Sequence, residues 1–297
     1  MGFTTIDVER IEGTVLFVTM TRERQMNTLS LEFVDELGRV LRDASADPTV
    51  RVLVLTGRGR AFCCGAELSY YTSAKEVIGA GPISARNNYL RHILKLFADI
   101  ESCDRPVIAA INGFALGGGA ELALACDFRI MSDTARFGVP EVRLGAIPGA
   151  GGVQKLYRFV GRGRALELVM LGAHLTAAEA DRYGLLFRRV PPDRLREESL
   201  ELARTLSKMS PVALAYAKAA INLAMDVDAA SANVYALDAM TVLAGSDDQR
   251  EGMQAFFDKR EPRFPGFARP GGDTRDVMPP LAGQDRDGGG SPAPTPE

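Results

Sequence analysis

Residues 112–127, NGFALGGGAELALACD, decide how this chain is read. An apolar run, residues 107–111 (VIAAI), comes before them and reads as a buried strand. Three glycines follow, Gly117, Gly118 and Gly119, and then a run of Leu and Ala that reads as a helix. The first N–H groups of a helix have no partner inside it and carry the positive end of its dipole. Glycines let another group approach those N–H groups closely. A strand, a glycine turn and a helix start therefore form a plausible anion or oxyanion cradle. Glu121 lies three residues after Gly118, on the same helical face. A carboxylate there either complements the helix N-terminus or does chemistry, and this segment alone leaves both readings open. A P-loop is excluded, because no Lys-Ser/Thr follows, and residues 113–118 give GxxxGG rather than the dinucleotide pattern GxGxxG.

Two further segments bear on the choice. In residues 137–152, FGVPEVRLGAIPGAGG, Glu141 follows Pro140 inside an apolar, glycine-rich loop. Taken alone it reads more readily as a solvated loop acid. In residues 58–69, RGRAFCCGAELS, a second small-residue turn at Gly65 and Ala66 follows the apolar run 50–57 and can supply another N–H donor. Two donors and two acids suit chemistry at a carbonyl group.

The surrounding pattern is strand–helix units first and helices afterwards. The first 20 residues read as a β-hairpin turning at Gly13. Ser30 caps a helix whose Phe33, Leu37, Val40 and Leu41 share one face. Residues 69–88 read as a mobile loop or short helices, and residues 87–103 as a helix. Residues 128–133 read as a third strand and residues 135–145 as a short strand plus loop. Everything from about Gly152 to residue 260 reads as helices, with Ser210-Pro211 a clear start signal. Residues 270–297 hold six Pro and six Gly, too little apolar surface to order a segment, and read as a disordered tail.

Composition narrows the function. The 297 residues are 46% hydrophobic, enough for a substantial core. The net charge of −3 comes with mixed signs and no basic block, so a nucleic-acid partner is not expected. Four cysteines without a CxxC spacing read as reduced thiols in a cytoplasmic protein. Two histidines far apart make a His-based metal site or triad a poor fit, and no metal is expected. No signal peptide or membrane span is recognised.

Taken together, RAFCCGAEL (60–68), PVIAAINGFALGGGAELALACD (106–127) and ARFGVPEVRLGAIPGAGGVQKL (135–156) resemble the enoyl-CoA hydratase/isomerase family, the crotonase superfamily. EGMQAFFDKREPRF (251–264) resembles the family's last helix, and the likeness runs in order over about residues 5–267. The resemblance implies an α/β fold: a crotonase-like spiral of ββα units followed by a C-terminal helical trimerisation region. It divides the chain into a core over 1–195, a helical region over 196–267 and the tail over 268–297. It implies that the backbone N–H groups of Ala66 and Gly118 form an oxyanion hole for the thioester carbonyl of an acyl-CoA, each worth about 3–4 kcal/mol in the transition state. It implies that Glu121 acts as base toward water and Glu141 supplies a proton to C2 of a trans-2-enoyl-CoA. Two neighbouring carboxyls rarely both ionise, so one is expected to be protonated near neutral pH.

No cofactor is implied, CoA being part of the substrate. Backbone near Cys64 and Ala66, with Phe256 and Lys259 on the last helix, is implied to contact CoA, Lys259 and Phe256 often from a neighbouring subunit of a homotrimer or dimer of trimers. The resemblance implies that Tyr70 and Tyr71 open the loop that shapes the acyl pocket; they read as pocket walls or as exposed aromatics. The chain departs from the family pattern at Glu67, where many members have Asp, and in the early loop 21–30, which lacks the usual proline. Isomerase, lyase, decarboxylase and hydrolase reactions on the same scaffold, and a non-catalytic binding role, are the competing readings; the presence of both glutamates favours hydration.

Overall fold

In the computed structural model, residues 2–79 and 81–267 are described. The tail expected to be disordered lies outside them. Strands β1 (Ile6–Ile11) and β2 (Val15–Met20) pair antiparallel across a three-residue turn, Glu12, Gly13 and Thr14, in which Glu12 and Gly13 take positive φ and the Thr14 N–H donates to Ile11 O. Helix α1 (Leu31–Ala46) starts where the Ser30 hydroxyl accepts from the Phe33 N–H, and it buries Phe33, Leu37, Val40 and Leu41 as its spacing predicts.

The chain then winds in repeated turns, each laying one strand in each of two sheets. Strands β3 (Val52–Gly57) and β4 (Ala61–Cys63) are the first such pair, β5 (Val107–Ile111) and β6 (Phe114–Leu116) the second, and β7 (Phe128–Ser132) and β8 (Arg136–Gly138) the third. With β9 (His174–Thr176) and β10 (Arg188–Val190), the sheet orders are β1-β2-β3-β5-β7-β10 and β4-β6-β8-β9. From β2 to β10 the larger sheet is parallel.

Short helices α2 (Lys75–Ile78) and α3 (Pro82–Ala85), then a π-helical turn at Arg86–Leu90, lead into α4 (Arg91–Ser102). Helix α5 (Gly118–Ala125) follows β6 directly. Helix α6 (Gly152–Leu171) is broken at Gly161, whose φ of 71° and ψ of 168° are not helical, so it is two helices meeting at a kink. Strands β9 and β10, around α7 (Ala177–Arg182), correct the expectation of helices alone after residue 152.

The parallel sheet is covered on both faces, which is why its strands are continuously apolar rather than alternating. Leu53, Leu55, Val107, Ala109 and Ile111 face the core shared with α1, α4 and α5. Val52, Val54, Ile108 and Ala110 face α8 (Leu195–Ser207), which packs on them through Leu195, Leu200, Ala203 and Leu206. The boundary drawn after residue 195 thus falls at the start of a helix that covers the core sheet. Helices α9 (Pro211–Ala224), α10 (Ala229–Leu243) and α11 (Asp247–Asp258) follow, their N-termini capped by Ser210, Asp228 and Ser246. Lys218 of α9 ties them to the body: its ammonium donates to Ile100 O, Arg105 O and the Asp127 carboxylate. Among the described residues no helix is long and apolar enough to cross a membrane.

Candidate active site

Two turns meet where β4 and β6 end. Gly65, at φ +82°, follows β4, and Gly117, at φ +57°, follows β6 and caps α5. They touch so closely that a Cβ on Gly65 would lie 2.7 Å from the Gly118 nitrogen, and one on Gly118 would lie 3.7 Å from the Ala66 nitrogen. The N–H groups of Ala66 and Gly118 therefore lie side by side. Among the described residues no acceptor in the fold takes either of them. Gly118 is the first residue of α5, so its N–H also carries the helix's positive end.

The two glutamates flank this pair. Glu121, one turn into α5, is only 3% exposed. Its Oε1 accepts from the N–H groups of Ala150 and Gly152, at 2.9 and 2.8 Å. Those donors come from the small-residue run GAGG (149–152) that leads into the first residue of α6, where small side chains let backbone N–H groups converge. Glu141 opens the 3-10 turn Glu141–Leu144 after Pro140, and its Oε1 lies 3.2 Å from where a Cβ of Gly117 would stand. Its Oε2 is buried without a partner.

The surroundings treat the two acids differently. Burial pushes the Glu121 carboxyl above the ordinary range, against the Gly152 and Ala150 N–H groups and the Lys155 charge, which favour its ionised form. Burial, reinforced by the Glu121 charge, pushes Glu141 up to about 7. The acid with two backbone donors is the one better able to hold a charge; the acid with a bare buried oxygen is the one better able to hold a proton.

The rest of the wall is built around residue 67. Burial opposes ionisation of Glu67, but hydrogen bonds from Thr28, Ser69 and Arg22 hold its carboxyl below the usual range. Glu67 thus keeps a negative charge against Arg22, at 2.9 Å. Tyr70 is buried, its hydroxyl accepting from Leu31 N–H at 3.4 Å, while Tyr71 is 38% exposed. Both rings stand edge-on to the buried ring of Tyr89. Cys64 is half-buried, and burial raises its thiol, as it does that of fully buried Cys63.

The fold thus brings Ala66, Gly118, Glu121 and Glu141 together, with Cys64 on the same turn as Ala66. Phe256 and Lys259 are set apart on α11: Phe256 is 79% exposed and Lys259 ends the helix in left-handed backbone. Sequence reasoning missed the two donors to Glu121 and the burial of Tyr89 behind Tyr70 and Tyr71. The first had a visible signal in the glycines at 149, 151 and 152. The second had none, because a tyrosine ahead of an amphipathic helix reads as packing.

Converging backbone donors beside a coupled carboxyl pair, on a two-sheet spiral of ββα turns, define an acid–base site suited to charge developing on a carbonyl oxygen. The sequence pattern of the enoyl-CoA hydratase/isomerase family matches residues 10–267. A probable enoyl-CoA hydratase of Rhizobium meliloti is 39% identical over 264 residues, 89% of this chain and 99% of that protein. The short-chain-enoyl-CoA hydratase of Clostridium acetobutylicum is 38% identical over 251 residues, 84% of this chain and 94% of that one. The crystal structure of an enoyl-CoA hydratase from Bacillus anthracis superposes with a TM-score of 0.82 at 40% identity, covering 89% of this chain and all of that one. This chain belongs to the enoyl-CoA hydratase/isomerase family and has the crotonase fold.

Proposed function

We propose that this chain, a hydro-lyase of the enoyl-CoA hydratase type, adds water across the double bond of a trans-2-enoyl-CoA to give a 3-hydroxyacyl-CoA. The observation that carries the reading is the unequal acid pair beside two unused backbone donors. The thioester oxygen sits between the N–H groups of Ala66 and Gly118. Their hydrogen bonds strengthen as enolate-like charge develops there, each worth about 3–4 kcal/mol in the transition state. Glu121, charged, takes a proton from a water held between the two acids. The water oxygen bonds to C3, and Glu141 delivers its proton to C2. The C2–C3 double bond becomes single, one proton moves at each end, and no electrons leave the substrate, so no redox cofactor is needed.

Cys64, Ala66, Phe256 and Lys259 are the proposed CoA contacts, and Tyr70 and Tyr71 the proposed edge of the acyl pocket. Exposed Phe256 and Lys259 fit this role if they reach CoA on a second copy, so we assign the chain to a homotrimer or a pair of trimers.

Loss of the conjugated enone absorbance of crotonyl-CoA tests the reaction. Wild type is expected to hydrate it, and Glu121→Gln and Glu141→Gln each to lose about 10²–10⁴-fold in kcat. A wild type inert on short, medium and aromatic enoyl-CoAs overturns the hydratase reading.

A further inference from the structure

Tyr89 is fully buried in the π-helical turn Arg86–Leu90, and its hydroxyl makes two short hydrogen bonds, both to backbone. It donates to Leu29 O at 2.6 Å and accepts from Glu67 N–H at 2.6 Å. Leu29 and Ala66 form an isolated parallel bridge, closed on one side by Leu29 N–H to Gly65 O at 2.8 Å. The tyrosine hydroxyl is inserted on the other side. Ala66 thus stands between one bond at Gly65 and one at Glu67, and its own N–H is the group left pointing out.

We propose that Tyr89 is a positioning residue of the thioester-oxygen site, its hydroxyl fixing the peptide plane that aims the Ala66 N–H at the substrate. This inference rests on the oxyanion reading of Ala66 and Gly118. Three features support it. Gly65 gives the turn little stiffness of its own, having no side chain and a left-handed backbone that packing must hold. Residue 67 is fixed twice, at its N–H by Tyr89 and at its carboxylate by Arg22, Thr28 and Ser69. The Tyr89 ring is itself held edge-on by Tyr70 and Tyr71, at centroid distances of 5.2 and 6.1 Å. A buried ring alone needs only phenylalanine; the hydroxyl is spent on the two backbone groups that flank the donor.

The test compares wild type, Tyr89→Phe and Ser210→Ala, the last removing the hydroxyl that caps α9, which bonds to none of the site's residues. Hexadienoyl-CoA carrying ¹³C at the thioester carbonyl is bound to each, and the carbonyl band is read by isotope-edited infrared spectroscopy beside kcat and KM. Tyr89→Phe is expected to show a smaller downward displacement of the band and a kcat lower by about 10–100-fold, with KM little changed. Ser210→Ala is expected to lower Tm and leave the band and kcat alone. A Tyr89→Phe protein that only melts earlier, with band and kcat at wild-type values, overturns the inference while sparing the oxyanion reading. A wild type with no band displacement overturns both. Should Tyr89→Phe not accumulate folded, Tyr89→3-fluorotyrosine keeps ring and hydroxyl but alters the strength of both bonds. A band shifted from wild type supports the inference, and an identical band overturns it.

Discussion

Glu121 and Glu141 are the same residue type at neighbouring points of one site, and what separates them is backbone. Two N–H groups reach one oxygen of Glu121, and none reaches the buried Oε2 of Glu141. The consequence for stability has a definite sign. Glu141 is raised from 4.5 in the unfolded chain to about 7 in the folded one. Its favourable contribution is therefore complete below about pH 4.5 and is lost as pH rises through about 7. Glu121 is raised as well and pulls the same way. Glu141→Gln removes the ionisation, so it is expected to gain on wild type between pH 5 and pH 8, by about 1–2 kcal/mol given its partial exposure. Urea unfolding at the two pH values measures this; a constant difference between the proteins refutes it. Both acids were legible in the sequence because a carboxylate among glycines and aliphatics is out of place. Their inequality was not, because backbone donors have no letter of their own.

Secondary-structure elements were legible in proportion to their length. The five- and six-residue strands β3 and β5 stood out as unbroken apolar runs, and the capped helices α1 and α9 announced their starts. The second sheet consists of three-residue strands, β4, β6, β8 and β9, too short to show an alternation. Yet that sheet positions the site, because β4 and β6 deliver the two donor turns. Its contact with α5 leaves no room for a side chain: a Cβ on Gly119 would stand 1.9 Å from the Cys63 carbonyl oxygen. Gly119→Ala is therefore expected to push α5 off β4, separating the Ala66 and Gly118 donors. The outcome should be a Tm lower by several degrees together with loss of most crotonyl-CoA hydration. Thermal melting followed by circular dichroism, with activity on the folded fraction, checks it. Full activity at an unchanged Tm would show that the two elements tolerate a wider spacing.

At the scale of the whole molecule, the order of the three motifs carried the fold: it gave the spiral by resemblance, while periodicity alone gave only strand–helix units and then helices. The helical end raises a question one copy does not answer. Helix α10 leaves Val234, Leu237 and Met240 half or more exposed, and α11 leaves Met253, Phe256 and Phe257 so. Aliphatic and aromatic side chains repeated along two helices make an apolar surface of the kind that marks an interface. If copies of this chain cover it, light scattering on the eluting protein should return a multiple of 32.0 kDa. Leu237→Asp should shift that mass downward, because a charge enters the covered face while the isolated copy, where Leu237 is 67% exposed, is little disturbed. The same variant separates assembly from chemistry. Phe256 and Lys259 lie far along the chain from the acid pair, so losing a neighbour's α11 should weaken the grip on CoA rather than alter the reacting carbons. KM for crotonyl-CoA should rise while KM for crotonyl-pantetheine, which lacks the nucleotide end, stays nearly constant. A monomeric wild type that hydrates both thioesters at full rate would place Phe256 and Lys259 outside the site and leave the acid pair and the two donors as the complete machinery.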